Sequence, residues 1–246
     1  MVTKESYNPS KPLLLLPAAG FGTRVGSPNA KEIFFGANGG PLIEASLHQA
    51  RLRDWAVHVI TRKEKTDLLN YLKEYQNKYF NPDQVDGFNI SIQIIEPSRE
   101  WPDTLLKSKD YWRHVNLLCL PDTIYEPQDV WNSMIADVQQ ALAQGKKNMI
   151  SAGLFTTEDY SKWGVMKVGK STSLFLCEKP QPSTLLEMME VDSVKAWGLI
   201  AFSKAIGEKL FSAQLESTFD HQWKSLETDF VFHELSMFKD LTRGLY

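Results

Sequence analysis

One stretch of this 246-residue chain has the residue types and spacing to handle phosphate. Leu13 to Lys31 reads LLLLPAAGFGTRVGSPNAK. Ala18, Ala19, Gly20 and Gly22 carry almost no side chain, and such a loop lets backbone N–H groups close on an anion. Thr23 adds a hydroxyl, and Arg24 and Lys31 add two positive charges. That inventory suits a polyphosphate held just beyond the end of a first strand. A second candidate is Asp122, which follows the apolar run 115–120 and Pro121. Pro-Asp is good turn chemistry. A carboxylate at the C-terminal end of a central strand is also where open α/β sheets bind ligands.

Other chemistries find less support. The formal charge of −3 argues against a nucleic-acid partner gripped by a general basic surface, so cationic groups have to be local. Cys119 and Cys177 lie in apolar, strand-like segments and read as reduced buried thiols. No C-x-x-C occurs, and His48, His58, His114, His221 and His233 have no spacing that suggests a metal set or a triad. The N-terminal MVTKESYNPSKP lacks an apolar core for a signal peptide, and no apolar run approaches the roughly 20 residues of a spanning helix. The expected location is the cytoplasm, with no membrane partner.

The glycines Gly20, Gly22 and Gly26 are spaced G-x-G-x-x-x-G. The dinucleotide fingerprint wants G-x-G-x-x-G running straight into a helix. Here Ser27-Pro28-Asn29 follows, and the second strand ends in Thr61-Arg62-Lys63 rather than an acid. An NADP-dependent oxidoreductase using those basic residues stays open as an alternative. A P-loop is excluded, because no G-x-x-x-x-G-K-[ST] is present.

The elements that position these residues follow from apolar patterning. Strands are expected at 12–17, 57–60, 90–95, 115–120 and 148–154. Helices are expected at 43–55, 64–79, 103–114 and 130–143, with a long loop at 18–41 and a turn-rich one at 81–87. Alternation of this kind predicts an α/β, Rossmann-like, mostly parallel sheet covered on both faces. Beyond residue 155 the pattern changes. Strands at 163–168, 173–178 and 194–202, with helices at 205–212 and 227–240, predict a smaller α+β lobe. The expectation is one domain, 1–246, with a nucleotide-binding part at about 12–155 and a sugar-binding part at about 156–246.

Five segments, in order, resemble the sugar-1-phosphate nucleotidylyltransferases, the family making dTDP-glucose, UDP-glucose and GDP-sugars. They are LPAAGFGTR followed by Lys31-Glu32, LCLPD at 118–122, Trp163-Gly164-Val165, Glu178-Lys179-Pro180, and Ala196-Trp197-Gly198-Leu199-Ile200. The resemblance implies a GT-A-like fold and attack of a sugar-1-phosphate oxygen on the α-phosphorus of a nucleoside triphosphate, with pyrophosphate leaving. It implies that Gly20 and Gly22 let the backbone wrap the triphosphate beside Ala18, Ala19 and Thr23, and that Arg24 grips the β/γ oxygens. Lys31 would neutralise the α-phosphate and the incoming phosphate, and Lys179 would bind the sugar phosphate. Glu178, Gly164 and Gly198 would line the sugar site, and Asp122 would hold Mg²⁺. Relatives are often dimers or tetramers, so the resemblance leaves a homo-oligomer open.

Two segments depart from the family pattern. The base-reading stretch runs Glu96-Pro97-Ser98-Arg99-Glu100-Trp101-Pro102 without the usual glycine. By inventory Glu96 suits guanine, or a cytosine amine, better than thymine or uracil. A W-x-D-T-G strand carrying a second metal-binding aspartate is absent, which leaves Asp220 or Asp229 as candidate replacements; Glu227-Thr228-Asp229 resembles a helix-opening E-x-T-D of the family, more a structural landmark. That absence also supports a non-catalytic homologue as an alternative, and an acceptor such as phosphocholine or an alditol phosphate is another. No C-terminal β-helix follows, so no second activity is expected.

Overall fold

The computed structural model describes residues 11–20, 30–35, 39–79, 88–169, 171–189, 193–235 and 237–240. Its first half alternates strand and helix: β1 (Leu13–Pro17), α1 (Leu42–Leu52), β2 (Ala56–Thr61), α2 (Thr66–Tyr79), β3 (Asn89–Ile94), α3 (Trp101–Leu106) and β4 (Val115–Cys119). β1 lies between β2 and β4, and β2 bonds β3, all in parallel. Continuous apolar strands suit this arrangement because both faces are covered. Leu14 and Leu16 of β1 face the core shared with α1, α2 and α4 (Val130–Ala143), whereas Leu13 and Leu15 face the core built with α3 and α6 (Lys204–Asp220). The period of two along the strand divides the molecule into these layers.

The second half continues the same sheet. β5 (Thr123–Glu126) follows β4, and after α4 come β6 (Met149–Phe155), β7 (Gly164–Val168), β8 (Leu174–Glu178), α5 (Pro182–Met189) and β9 (Ser193–Ser203). After α6 come β10 (Lys224–Leu226), β11 (Asp229–Glu234) and β12 (Met237–Asp240). Ten strands form one mixed sheet, with β12 and β5 as a separate antiparallel pair.

β9 joins the two halves. One edge bonds β6 from Ala196 to Phe202. On the other edge Ser193–Ala196 bonds β7, whereas Leu199–Ser203 bonds β4. Because Ala196 pairs with both β6 and β7, and Ile200 with both β6 and β4, β7 and β4 share an edge. The sheet therefore forks at Trp197 and Gly198, between a half that carries β4 and β1 and a half that carries β7 and β8.

Several boundaries differ from the sequence expectation. Where a helix was expected over 227–240, Asp229–Glu234 and Met237–Asp240 are strands. Phe230 and Phe232 alternate on β11, and β11 pairs with β6 in parallel. His233 Nε2 meets Asp137 Oδ2 of α4 at 2.6 Å, and Ser151 Oγ of β6 donates to the same oxygen at 2.7 Å. Such long-range pairing overrides the local helical spacing. The helix expected over 103–114 is α3 plus a 3-10 turn at Lys109–Tyr111. Ser108 Oγ bonds the Leu105 carbonyl, and Gln93 Nε2 donates to the Lys107 carbonyl, which breaks the helical ladder. α6 runs eight residues past the expected 212 and ends at His221 in the left-handed region (φ 56°). β5, β10 and α5 were not anticipated.

Candidate functional site

The C-terminal ends of β1 and β4 open on the same side of the sheet, because the strands are parallel neighbours. Ala18 and Ala19 are buried where β1 ends, and the Ala18 N–H donates to the Ile60 carbonyl at 2.8 Å. Gly20 is exposed, and a Cβ placed there meets no atom within 4 Å. Gly22, Thr23 and Arg24 lie outside the described residues.

The loop returns at Lys31–Ile33 as a single 3-10 turn. Three contacts fix that turn against α2. The Ala30 N–H donates to Asp67 Oδ2 at 2.8 Å, and Lys65 Nζ donates to both Glu32 oxygens at 2.8 and 2.9 Å. Glu32 is fully buried. Burial raises its pKa despite the opposing pull of Lys65. So anchored, Lys31 directs its ammonium to Asp122, with Nζ 2.5 Å from Oδ2. A cation and a carboxylate separated by 91 residues thus meet at the ends of β1 and β4. Cys119, nearby on β4, is fully buried against Ser46, and burial pushes its thiol up to about 12, so it stays neutral.

The half that carries β7 and β8 supplies a second cluster. Gly164 opens β7 and pairs with Glu178, which ends β8. A Cβ on Gly164 would fall 2.0 Å from Trp197 Nε1 and 2.2 Å from Glu178 Oε1. Only glycine lets the indole and carboxylate lie this close to the backbone. Glu178 is 2% exposed, and Trp197 Nε1 donates to its Oε1 at 3.2 Å. The Trp101 indole packs against that of Trp197 with centroids 5.2 Å apart. Burial raises Glu178 to about 8; the Trp197 and Trp101 N–H dipoles and Lys179 oppose the shift. Glu178 is thus enclosed rather than open to a sugar hydroxyl.

Lys179 has φ 45°, a left-handed conformation that side chains rarely adopt. Its N–H donates to the Trp163 carbonyl at 2.9 Å, and the Lys179 carbonyl accepts from His221 Nδ1 at 3.0 Å. Strained backbone held on both sides is a common property of functional positions. Its ammonium lies 3.8 Å from Glu100.

Three residues singled out from the sequence sit elsewhere or apart. Gly198 faces the opposite side of β9 from Trp197. A Cβ there would meet Tyr125 at 2.6 Å and Leu235 at 2.9 Å, so it is a packing glycine and not a wall of the Glu178 cluster. Asp229 starts β11 beside the start of β6, and β6 runs parallel to β4, both being antiparallel to β9. It therefore lies at the end of the sheet away from Asp122 and pairs with Lys146. Glu96 is exposed just after β3, and its carbonyl accepts from Lys107. Sequence reasoning also missed that β12 pairs residue 240 with Thr123, the residue after Asp122. The signal was the strand character of the last segment, hidden by reading it as a helix. Among the described residues, no group of three or more His, Cys, Asp or Glu forms a ready metal cage.

This mixed sheet, mainly parallel at its core and flanked by helices, with its cation–carboxylate pair at the strand ends, defines a nucleotidyltransferase-type, GT-A-like α/β fold. No protein-family profile and no curated protein sequence matches the chain. Solved structures do. A protein described as a glucose-1-phosphate thymidylyltransferase from Bacillus anthracis, in complex with sucrose, aligns with TM-score 0.65 at 14% identity, covering 95% of this chain and 93% of that one. A UDP-glucose pyrophosphorylase complexed with UDP-glucose aligns with TM-score 0.64 at 16% identity over 96% of each chain. The UDP-glucose pyrophosphorylase of Acinetobacter baumannii gives 0.63 at 15% over 96% and 90%. The likeness establishes a sugar-1-phosphate nucleotidylyltransferase-like fold.

Proposed function

We propose that the chain transfers a nucleotidyl group from a nucleoside triphosphate to a sugar 1-phosphate, giving a nucleotide sugar and pyrophosphate. The observation that carries this reading is the Lys31–Asp122 pair at the C-terminal ends of β1 and β4, beside the small-residue loop. In the reaction, an acceptor phosphate oxygen forms a bond to the α-phosphorus, and the bond from that phosphorus to the bridging oxygen of the β-phosphate breaks. The attacking group is already anionic near neutral pH, so no general base is required. The barrier lies in bringing two polyanions together, which is a matter of positioning and charge neutralisation.

The residues divide that task. Ala19, Gly20 and Gly22 offer backbone N–H groups to the triphosphate, Ala18 keeps the entry to the loop small while its own N–H stays on Ile60, and Arg24 supplies a planar fork for the terminal oxygens. Lys31 sits at the meeting point of the two phosphates, and its ammonium exchanges Asp122 for phosphate when substrate arrives. Lys179 takes the acceptor phosphate. Glu96 addresses the base. Mg²⁺ fits the donor set here, since it takes one or two carboxylates and leaves its other positions to water and phosphate. Asp122 would hold it. When bound, the ion offsets charge developing on the leaving pyrophosphate. No described helix is long and apolar enough to cross a membrane.

The test is pyrophosphate release with Mg²⁺, crossing ATP, CTP, GTP, UTP and dTTP with a panel of sugar 1-phosphates. One productive pair is expected. Arg24→Ala and Asp122→Asn should each lower kcat about a hundredfold or more, in line with loss of one preorganised charge. Near-normal turnover in either variant removes that residue from the mechanism. No triphosphate binding by the wild type defeats the whole reading.

A further inference from the structure

We propose that Glu100 and Trp101, at the start of α3, are an internal stand-in for the acceptor: they occupy Lys179 and Glu178 until a sugar phosphate displaces them. This rests on the acceptor reading of Lys179 and Glu178 given above. Two consecutive residues meet both groups. The Glu100 carboxylate lies 3.8 Å from Lys179 Nζ, where an acceptor phosphate would sit. The Trp101 indole packs 5.2 Å from Trp197, the ring whose Nε1 donates to Glu178, and brings a second N–H dipole towards that carboxyl, as a sugar hydroxyl would. An indole is an apolar ring with one N–H donor at its edge. A pyranose likewise offers an apolar ring face with donors at the rim. Anion on cation and ring with donor on carboxylate thus reproduce, in order, the two ends of a sugar phosphate.

The surroundings make α3 the side that yields. Lys179 is held from behind by Trp163 and His221, and Gly164 leaves Glu178 and Trp197 no slack on the floor of the site. In contrast, Glu100 caps α3 without a side-chain hydrogen bond to the helix, and the helix has six residues. The Glu100 and Lys179 side chains are 37% and 36% exposed, so a solute anion reaches the pair. An ion pair this open is weak. A phosphate, with up to two charges and three terminal oxygens, competes well for the same ammonium. Because residues 100 and 101 are adjacent, one displacement frees both groups. A ligand with only a phosphate, or only hydroxyls, has to displace both contacts while replacing one. The pair therefore discriminates for acceptors that carry both.

Isothermal titration of glucose 1-phosphate and mannose 1-phosphate into wild type, Glu100→Gln and Trp101→Phe tests this, with thermal unfolding confirming that each variant is folded. Glu100→Gln removes the competing charge. It should bind about two- to fivefold more tightly than wild type, the range an exposed ion pair allows. Trp101→Phe keeps a ring and loses the donor, and should also bind more tightly. Equal or weaker binding by Glu100→Gln, with wild type binding measurably, overturns the stand-in and leaves the proposed activity intact. Failure of all three proteins to bind either sugar phosphate, with nucleoside triphosphate still bound, overturns the acceptor reading and the stand-in together.

Discussion

Glu178 is a buried carboxyl at the end of β8, and its burial has a pH signature. Its pKa is raised to about 8, chiefly by desolvation, against an ordinary value of 4.5. Between these two values the unfolded chain is ionised at this position while the folded chain keeps its proton. The folded state then binds more protons, so stability falls as pH rises through the interval. The contribution is complete below about pH 4.5 and gone above about pH 8. Glu178→Gln lacks this slope. Urea midpoints at pH 5, 7 and 9 should therefore fall more steeply for wild type than for the variant, and parallel midpoints would refute the assignment. At this scale the sequence was partly legible. Lys31, Asp122, Gly164, Glu178 and Lys179 were picked out by residue type and motif, and the chain brings them into the two clusters. Gly198 was misread because it adjoins Trp197 in sequence. Neighbours on a strand point to opposite faces, so only one of the two can line the site.

Among the elements, the 3-10 turn at Lys31–Ile33 is the one on which the site depends most. It is three residues long and has no side-chain cap of its own. Its hold comes from the Glu32–Lys65 pair, in which the two side chains are 1% and 11% exposed. Removing one partner of a buried pair leaves the other charge unsolvated, at a cost of about 3–5 kcal/mol. Glu32→Ala should lose stability on that order by urea denaturation, and Lys31 should lose its fixed approach to Asp122. A loss below about 1 kcal/mol would mean that the turn is held by other contacts. The pair was invisible in the sequence because its members lie 33 residues apart on a loop and a helix start. β11 and β12 were missed for a related reason. Phe230, Val231 and Phe232 favour extended structure, but the neighbouring Leu235 and Phe238 restore a helical spacing, and only pairing with β6 and β5 decides between them.

Across the whole molecule, the alternating first half was readable because parallel strands buried on both faces are continuous apolar runs, each separated by an amphipathic helix. The fork in the sheet was not, since no local pattern encodes which strand bonds which edge of β9. It predicts a difference in protection within a single strand. Leu199–Phe202 is bonded on both edges, whereas Trp197 and Gly198 pair with a neighbour on the β6 side alone or not at all. Amide hydrogen exchange should be faster across 197–198 than across 200–202, and uniform protection along β9 would contradict the fork.

The fork also sets where the molecule can bend. A strand clamped along both edges resists flexure, and one clamped along a single edge is a leaf spring. Between Ala196 and Leu199 the strand is such a spring. The Trp197 indole on that stretch donates to Glu178, so the least clamped part of β9 carries a side chain that touches the buried carboxyl.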